Sequence, residues 1–264
     1  VERRGIGLHS GATCTLRLQP GDAPGFQVGW LDRPNQPTQL LDPRLVQDTR
    51  LCTSLRLGDR NLVTVEHLLA ALAGTGITHA ELWLDSEEVP LLDGSALPWV
   101  EAIAEAGLED LGLREPLPEL NEPVHVQQGH GFITALPSDE LFLSAAIEFP
   151  QPAIGRQLFS ISLTPQAFVE QIAPARTFGF RDQVENLLAA GLIKGGALDN
   201  ALVCDGENWL NPPLRFADEP VRHKLLDLIG DLALVGFPQA QVMAYRGSHY
   251  LHTQLAAALH KTKT

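Results

Sequence analysis

Two stretches of this chain repeat one another. The first is Val65-Glu66-His67-Leu68-Leu69-Ala70-Ala71-Leu72-Ala73-Gly74, and the second is Val221-Arg222-His223-Lys224-Leu225-Leu226-Asp227-Leu228-Ile229-Gly230. Val, His, Leu, Leu and Gly coincide at five of ten positions. Both read as helices. A repeat of this kind constrains the fold strongly: it implies two halves of similar structure that close around a shared site.

On the second stretch Val221, Leu225, Leu228, Ile229 and Leu232 fall on one face, the core face. His223, Asp227 and Asp231, spaced i, i+4 and i+8, line the opposite face. Taken alone, that stripe is more simply a solvated helix face. His67 stands at the same register as His223, and it raises a metal centre to equal standing. Two-fold closure would bring one ligand, His67, from one half and two, His223 and Asp227, from the other. Ala71 and Thr75 replace Asp227 and Asp231 in the first copy, which leaves room for water and substrate. Three protein ligands with an open fourth position are the pattern of a catalytic zinc site. Glu66 adjoins His67 in the first turn. The helix dipole favours a carboxylate there without any function, and the same place suits a general base. The positive helix end also disfavours an imidazolium, and a metal needs the neutral ring.

The plan around these helices repeats as well. Residues 13–18 and 80–84 alternate like half-buried strands. Between them Thr64 is the expected N-cap of the first helix, which stops at Gly74 and Gly76. Asp93-Gly94 marks a turn, and 96–107 reads as a helix ending at Gly107. Three prolines fall between Arg114 and Pro123, where neither a helix interior nor a central strand could hold them. We therefore expect a first domain over 1–115, a linker over 116–123 and a second domain over 124–264. In the second domain strands are expected at 124–128, 131–136 and 141–149. A helix follows at 165–172, then the second repeat helix with Pro220 in its first turn, a strand at 240–246 and a helix at 248–260. The stretch 180–219 reads as an insertion, with an amphipathic helix (Val184, Leu187, Leu188), the loop Gly195-Gly196 and a strand at 201–203. Strands and helices mix without strict alternation, which points to an α+β fold: two similar domains related by duplication, each a β-sheet layered on α-helices, with the active site between them.

Charge and cysteine usage narrow the partners. The net charge of −13 argues against a nucleic-acid footprint, although a few clustered cations could still bind a small anion. The three cysteines, Cys14, Cys52 and Cys204, form no C-x-x-C pair, the usual pattern of a reducing compartment. No apolar run approaches the ~18 residues of a membrane span, and no signal peptide opens the chain. A cytoplasmic monomer is expected. Among the remaining histidines, His249 sits at a glycine turn, Arg246-Gly247-Ser248-His249, where sites are often built. His9 lies on a glycine-rich loop that lacks the Lys-Ser/Thr ending of a P-loop. His79, His125, His130, His252 and His260 have no evident partner, and Thr177 reads as an ordinary turn or capping residue.

Six segments in order carry a resemblance: Gly5-Ile6-Gly7-Leu8-His9-Ser10-Gly11, Thr64-Val65-Glu66-His67-Leu68, Leu92-Asp93-Gly94-Ser95-Ala96, Ala175-Arg176-Thr177-Phe178-Gly179, Gly195-Gly196 and Val221-Arg222-His223-Lys224-Leu225-Leu226-Asp227. Together they resemble the zinc-dependent UDP-3-O-acyl-N-acetylglucosamine deacetylases of lipid A biosynthesis, over nearly the whole chain. The resemblance implies zinc held by His67, His223 and Asp227; ferrous iron can use the same two-histidine, one-carboxylate set. It implies Glu66 as general base, His249 as general acid oriented by Asp231, and Thr177 polarising the amide carbonyl. Lys224 would contact the acylated UDP-sugar, and Phe178, Leu187, Ile193 and Leu198 would line an acyl passage built from the 180–219 insertion. The chain departs from the family pattern at Ser248, where glycine is frequent, and at His252, where asparagine is common. It also begins close to the Gly-Leu-His motif, which predicts a shortened or missing first strand. Two other readings are a non-catalytic acylated sugar-nucleotide-binding homologue and a zinc amidohydrolase with another substrate.

Overall fold

A computed structural model describes residues 1–112 and 117–262. In chain order the first half contains β1 (Glu2–Ile6), β2 (Thr13–Gln19), β3 (Gly25–Trp30), β4 (Gln39–Leu40), β5 (Val46–Asp48), β6 (Ser54–Leu57), β7 (Arg60–Val63), α1 (Glu66–Gly74), β8 (His79–Leu84) and α2 (Leu97–Ala106). The second half contains β9 (Val124–Gln128), β10 (Gly131–Pro137), β11 (Phe142–Glu148), β12 (Arg156–Ser162), α3 (Pro165–Gln171), β13 (Phe178–Phe180), α4 (Arg181–Ala189), β14 (Leu202–Asp205), β15 (Asn208–Trp209), α5 (Glu219–Leu232), β16 (Ala240–Tyr245) and α6 (His249–Thr262).

The main sheets of the two halves have the same topology. The first runs β1-β2-β8-β3-β4, and the second, read from its opposite edge, runs β9-β10-β16-β11-β12. Each has one parallel neighbour pair at the same place, β8 with β3 and β16 with β11; the other neighbours are antiparallel. This is the α+β architecture that the repeat implies. It arises from strands with one buried face: Cys14, Leu16 and Leu18 in β2, Ala80, Leu82 and Leu84 in β8, and Ala240, Val242 and Ala244 in β16 all point inward. A single apolar core continues from one half into the other.

Each half also carries a small three-stranded sheet between its fourth main strand and its repeat helix, β5-β6-β7 in the first and β13-β14-β15 in the second. The 180–219 segment is therefore not the only elaboration: the first half has one at the equivalent place. Strand β1 is present and pairs along its whole length with β2, from Glu2 opposite Arg17 to Ile6 opposite Thr13. The expected junction at 115/116 lies outside the described residues.

The repeat helices α1 and α5 pack against each other at the centre. A Cβ on Gly230 would collide with the Glu66 carbonyl oxygen, so this glycine lets α5 reach the backbone of α1. Its repeat partner Gly74 faces the ring of Phe168, which is fully buried. The polar stripe of α5 is not solvated. His223 and Asp227 are 3 % exposed and Asp231 is 0 % exposed. The stripe faces α1 and α6, and the solvated-face reading is excluded.

Thr64 is not the cap of α1. Val65 occupies that position without a side-chain cap bond, and the Thr64 hydroxyl donates to Glu88 Oε1 at 3.2 Å. Its φ of 60° is unusual for a β-branched residue. The buried Glu88 carboxylate captures the hydroxyl and turns the chain just ahead of Glu66.

Candidate metal centre and active site

Three donor atoms converge between α1 and α5. Asp227 Oδ1 lies 3.3 Å from His223 Nε2 and 3.6 Å from His67 Nε2. The two rings meet edge to face, with centroids 4.9 Å apart. The His223 Nδ1–H donates to the Ala175 carbonyl at 3.0 Å, which leaves the Nε2 lone pair facing the gap. Burial pulls the His223 pKa down to about 3, against the Asp227 charge, so the ring is neutral and able to ligate. Asp227 Oδ1 is buried without a hydrogen-bond partner. Its carboxyl is pushed up by burial, but Lys224 and His223 outweigh that and hold it well below the usual range. A tetrahedral ion with ligands at ~2.0–2.1 Å holds its donors about 3.3 Å apart. The set therefore fits a metal: two imidazoles and one carboxylate, whose Oδ1 is buried with nothing else to bind.

Beside these donors stand two further groups. Glu66 Oε1 is 3.8 Å from His249 Nε2, and Oε2 accepts the Thr53 amide at 3.1 Å. Burial raises the Glu66 carboxyl above its ordinary value. Burial lowers the His249 pKa, but the Asp231 and Glu66 carboxylates override it and push it up to about 9. Asp231 Oδ2 accepts the His249 Nδ1–H at 2.9 Å. The same oxygen accepts His252 Nδ1 at 2.9 Å, and Asp231 Oδ1 accepts the Thr53 hydroxyl. His252 thus has a partner that sequence reasoning missed. Its i+3 spacing from His249 on α6 was the available signal; for Thr53 the sequence carries none.

The surrounding motifs hold this seam together. Thr177 donates its amide to the Gly94 carbonyl at 2.8 Å and lies between Ala175, which anchors His223, and Phe178. At Gly94 φ is 82°, and a Cβ there would strike the Asn200 carbonyl. Asp93 and Ser95 bind Arg215, while Glu219, fully buried, takes Arg176 and the Arg215 amide. On the other side Glu88 accepts the amides of His9 at 2.7 Å and Ser10 at 2.8 Å, and Gly195 donates to Leu8 at 2.9 Å. The glycine-rich loop of the first half thus docks the Gly195-Gly196 turn of the second.

Lys224 Nζ donates to Asp227 Oδ2 at 2.6 Å. Its chain also borders a cavity of about 340 Å³ with Phe149, Arg246 and Gly247. Of the expected lining residues, Phe178 packs against His223 (centroids 6.3 Å) and Phe149 (5.6 Å). Leu187 and Ile193 are half-buried, and Leu198 is exposed.

A sequence model of the UDP-3-O-acyl N-acetylglycosamine deacetylases (LpxC) matches residues 1–261. The chain belongs to this family. A relative named UDP-3-O-acyl-N-acetylglucosamine deacetylase in Nostoc sp. is 49 % identical, covering 97 % of this chain and 94 % of its own. One of the same name in Thermosynechococcus vestitus is 51 % identical, covering 97 % and 90 %. An Arabidopsis thaliana relative, named as a mitochondrial form, is 41 % identical, covering 98 % and 85 %. Membership implies a metal-dependent enzyme, and His67, His223 and Asp227 are a group able to hold the ion. Among the described residues no helix is long and apolar enough to cross a membrane.

Proposed function

We propose that the protein is a zinc-dependent deacetylase that hydrolyses the N-acetyl amide of UDP-3-O-acyl-N-acetylglucosamine and releases acetate, a step of lipid A biosynthesis. The observation that carries this is the convergence of His67, His223 and Asp227 beside the facing pair Glu66 and His249. The ion, held by those three side chains, supplies Lewis acidity for water and for the amide carbonyl. Glu66 takes the proton of the attacking water. Its burial raises its basicity, as a base working near neutral pH needs. His249, kept protonated by Asp231, gives a proton to the departing glucosamine nitrogen. Thr177 supports the carbonyl oxygen as charge develops there.

Lys224, bordering the cavity with Arg246, meets the anionic part of the substrate. Phe178 opens an apolar path toward Leu187, Ile193 and Leu198 that takes the acyl chain. We read residues 1–115 and 124–264 as the two duplicated domains, joined by 116–123, and the protein as a monomer. A cytoplasmic location goes with this reading. The mitochondrial names of the Arabidopsis relatives favour a second compartment, and fractionation decides between them.

The test is acetate release from UDP-3-O-acyl-N-acetylglucosamine by the metal-loaded protein, abolished by a chelator and restored by zinc. A folded, metal-loaded protein that releases no acetate overturns the proposal and leaves a binding protein. Restoration by ferrous iron alone reassigns the metal.

A further inference from the structure

Thr53 sits just ahead of β6, fully buried, at a place where the sequence carries no signal. Two of its hydrogen bonds reach the proposed acid–base machinery. Its backbone amide donates to Glu66 Oε2 at 3.1 Å. Its hydroxyl donates to Asp231 Oδ1 at 2.5 Å, across a sequence separation of 178 residues. We propose that Thr53 is a positioning residue that selects which oxygen of each carboxylate works, and so aligns the base and the acid as one unit. This rests on the deacetylase reading above.

The argument is geometric. A carboxylate has two equivalent oxygens and can rotate to offer either one. Thr53 occupies Oε2 of Glu66, and the other oxygen, Oε1, is the one that faces His249 Nε2 at 3.8 Å. On Asp231, Thr53 occupies Oδ1, and Oδ2 is the one that takes the His249 Nδ1–H at 2.9 Å. One residue of the first half therefore sets the facing edge of the base and the orienting edge of the acid's partner. Asp231 is also 0 % exposed, so no solvent can replace a lost donor without rearrangement. With the hydroxyl removed, Oδ1 is left unpaired, and the carboxylate turns to recover a partner at the expense of its bond to His249. Substrate binding does not pass through either contact, so the effect falls on the chemical step.

The experiment compares Thr53→Val, Thr53→Ala and Thr53→Ser with wild type. It measures metal content, thermal midpoint, kcat and KM, and the NMR signal of the His249 Nδ1 proton. Val keeps the shape without the hydroxyl, Ala serves if Val does not fold, and Ser restores the donor. The expected result is wild-type metal content, a kcat lowered at least 10-fold with KM within 2-fold, a displaced Nδ1 proton signal, and recovery of both by Ser. An unchanged kcat in Val or Ala overturns the inference. So does a loss that appears in KM alone, or one that Ser fails to recover. Wild-type protein without turnover defeats the deacetylase reading instead. The Nδ1 signal still tests Thr53 in that case, because it needs no substrate.

Discussion

Oε1 of Glu66 and Nε2 of His249 face each other at 3.8 Å, one from each half of the chain. That separation suits a base and an acid that serve successive proton transfers on one small group. Replacing Glu66 by Gln keeps the shape and a carbonyl oxygen for the Thr53 amide, but removes the proton acceptor. Turnover should fall about 100- to 10,000-fold, while metal content stays at wild-type level. Steady-state kinetics with metal analysis checks this; turnover within 3-fold of wild type removes Glu66 from the base role.

The His249–Asp231 pair sets a pH dependence with a definite sign. In the role proposed for it His249 must be protonated, so its contribution is present below its pKa and lost as pH rises through it. With Asp231 charged, that pKa is raised to about 9. Asp231→Asn removes the charge that raises it. The alkaline limb of the kcat profile should move to lower pH, with the maximal rate reduced about 10- to 100-fold. A limb that stays in place shows that another group sets it.

Gly230 allows the contact between α5 and the backbone at Glu66. A methyl group there has no free volume, because both helices are fixed by the core. Gly230→Ala should destabilise the protein by about 1–3 kcal/mol and also lower turnover, because relief of the clash displaces Glu66. Urea denaturation measures the first effect. Unchanged stability would mean that the helices separate at no cost.

Metal removal should be visible in the fold as well as in the rate. An ion held by His67, His223 and Asp227 would join α1 to α5, so binding to the native state alone would stabilise it by about 2.7 kcal/mol at a hundredfold excess over Kd. For a chain of this size the thermal midpoint should fall by about 5–10 °C on chelation and return with zinc. Calorimetry with and without chelator tests this; coincident midpoints would place the ion outside the seam.

His252 shares Asp231 Oδ2 with His249, and its own Nε2 is buried without a partner beside Gly247. His252→Leu removes one of the donors to a buried carboxylate and should cost about 1–3 kcal/mol. His252→Asn, which keeps a donor near the Nδ1 position, should cost less. Equal losses in the two variants would show that packing and not hydrogen bonding matters at this site.

What the sequence makes legible here follows its periodicities. The 3.6-residue period puts His223, Asp227 and Asp231 on one line of α5, and the repeat puts His67 in register with them. It does not say what covers that line. Burial of the stripe comes from a close helix crossing at Gly230, which no local pattern announces. Strands β5, β6 and β7 escape notice because three- and four-residue strands are too short for alternation to stand out. Thr64 misleads for a related reason. Its residue type suits an N-cap, but a carboxylate 24 positions away, Glu88, takes the hydroxyl instead. Thr53 and His252 are tertiary partners of Asp231, and spacing along the chain does not specify such partners.

The matched strand order of the two main sheets has one further consequence. A pair of identical subunits with this architecture would have to present every residue of the seam twice. A glutamate beside one histidine would then force a glutamate beside the other, and Asp227 would need an aspartate where Ala71 now stands. Covalent fusion of the copies lifts that obligation. One half is free to place Glu66 and His67 at the seam and the other His249, His223 and Asp227, an asymmetry that a self-associating homodimer could not encode.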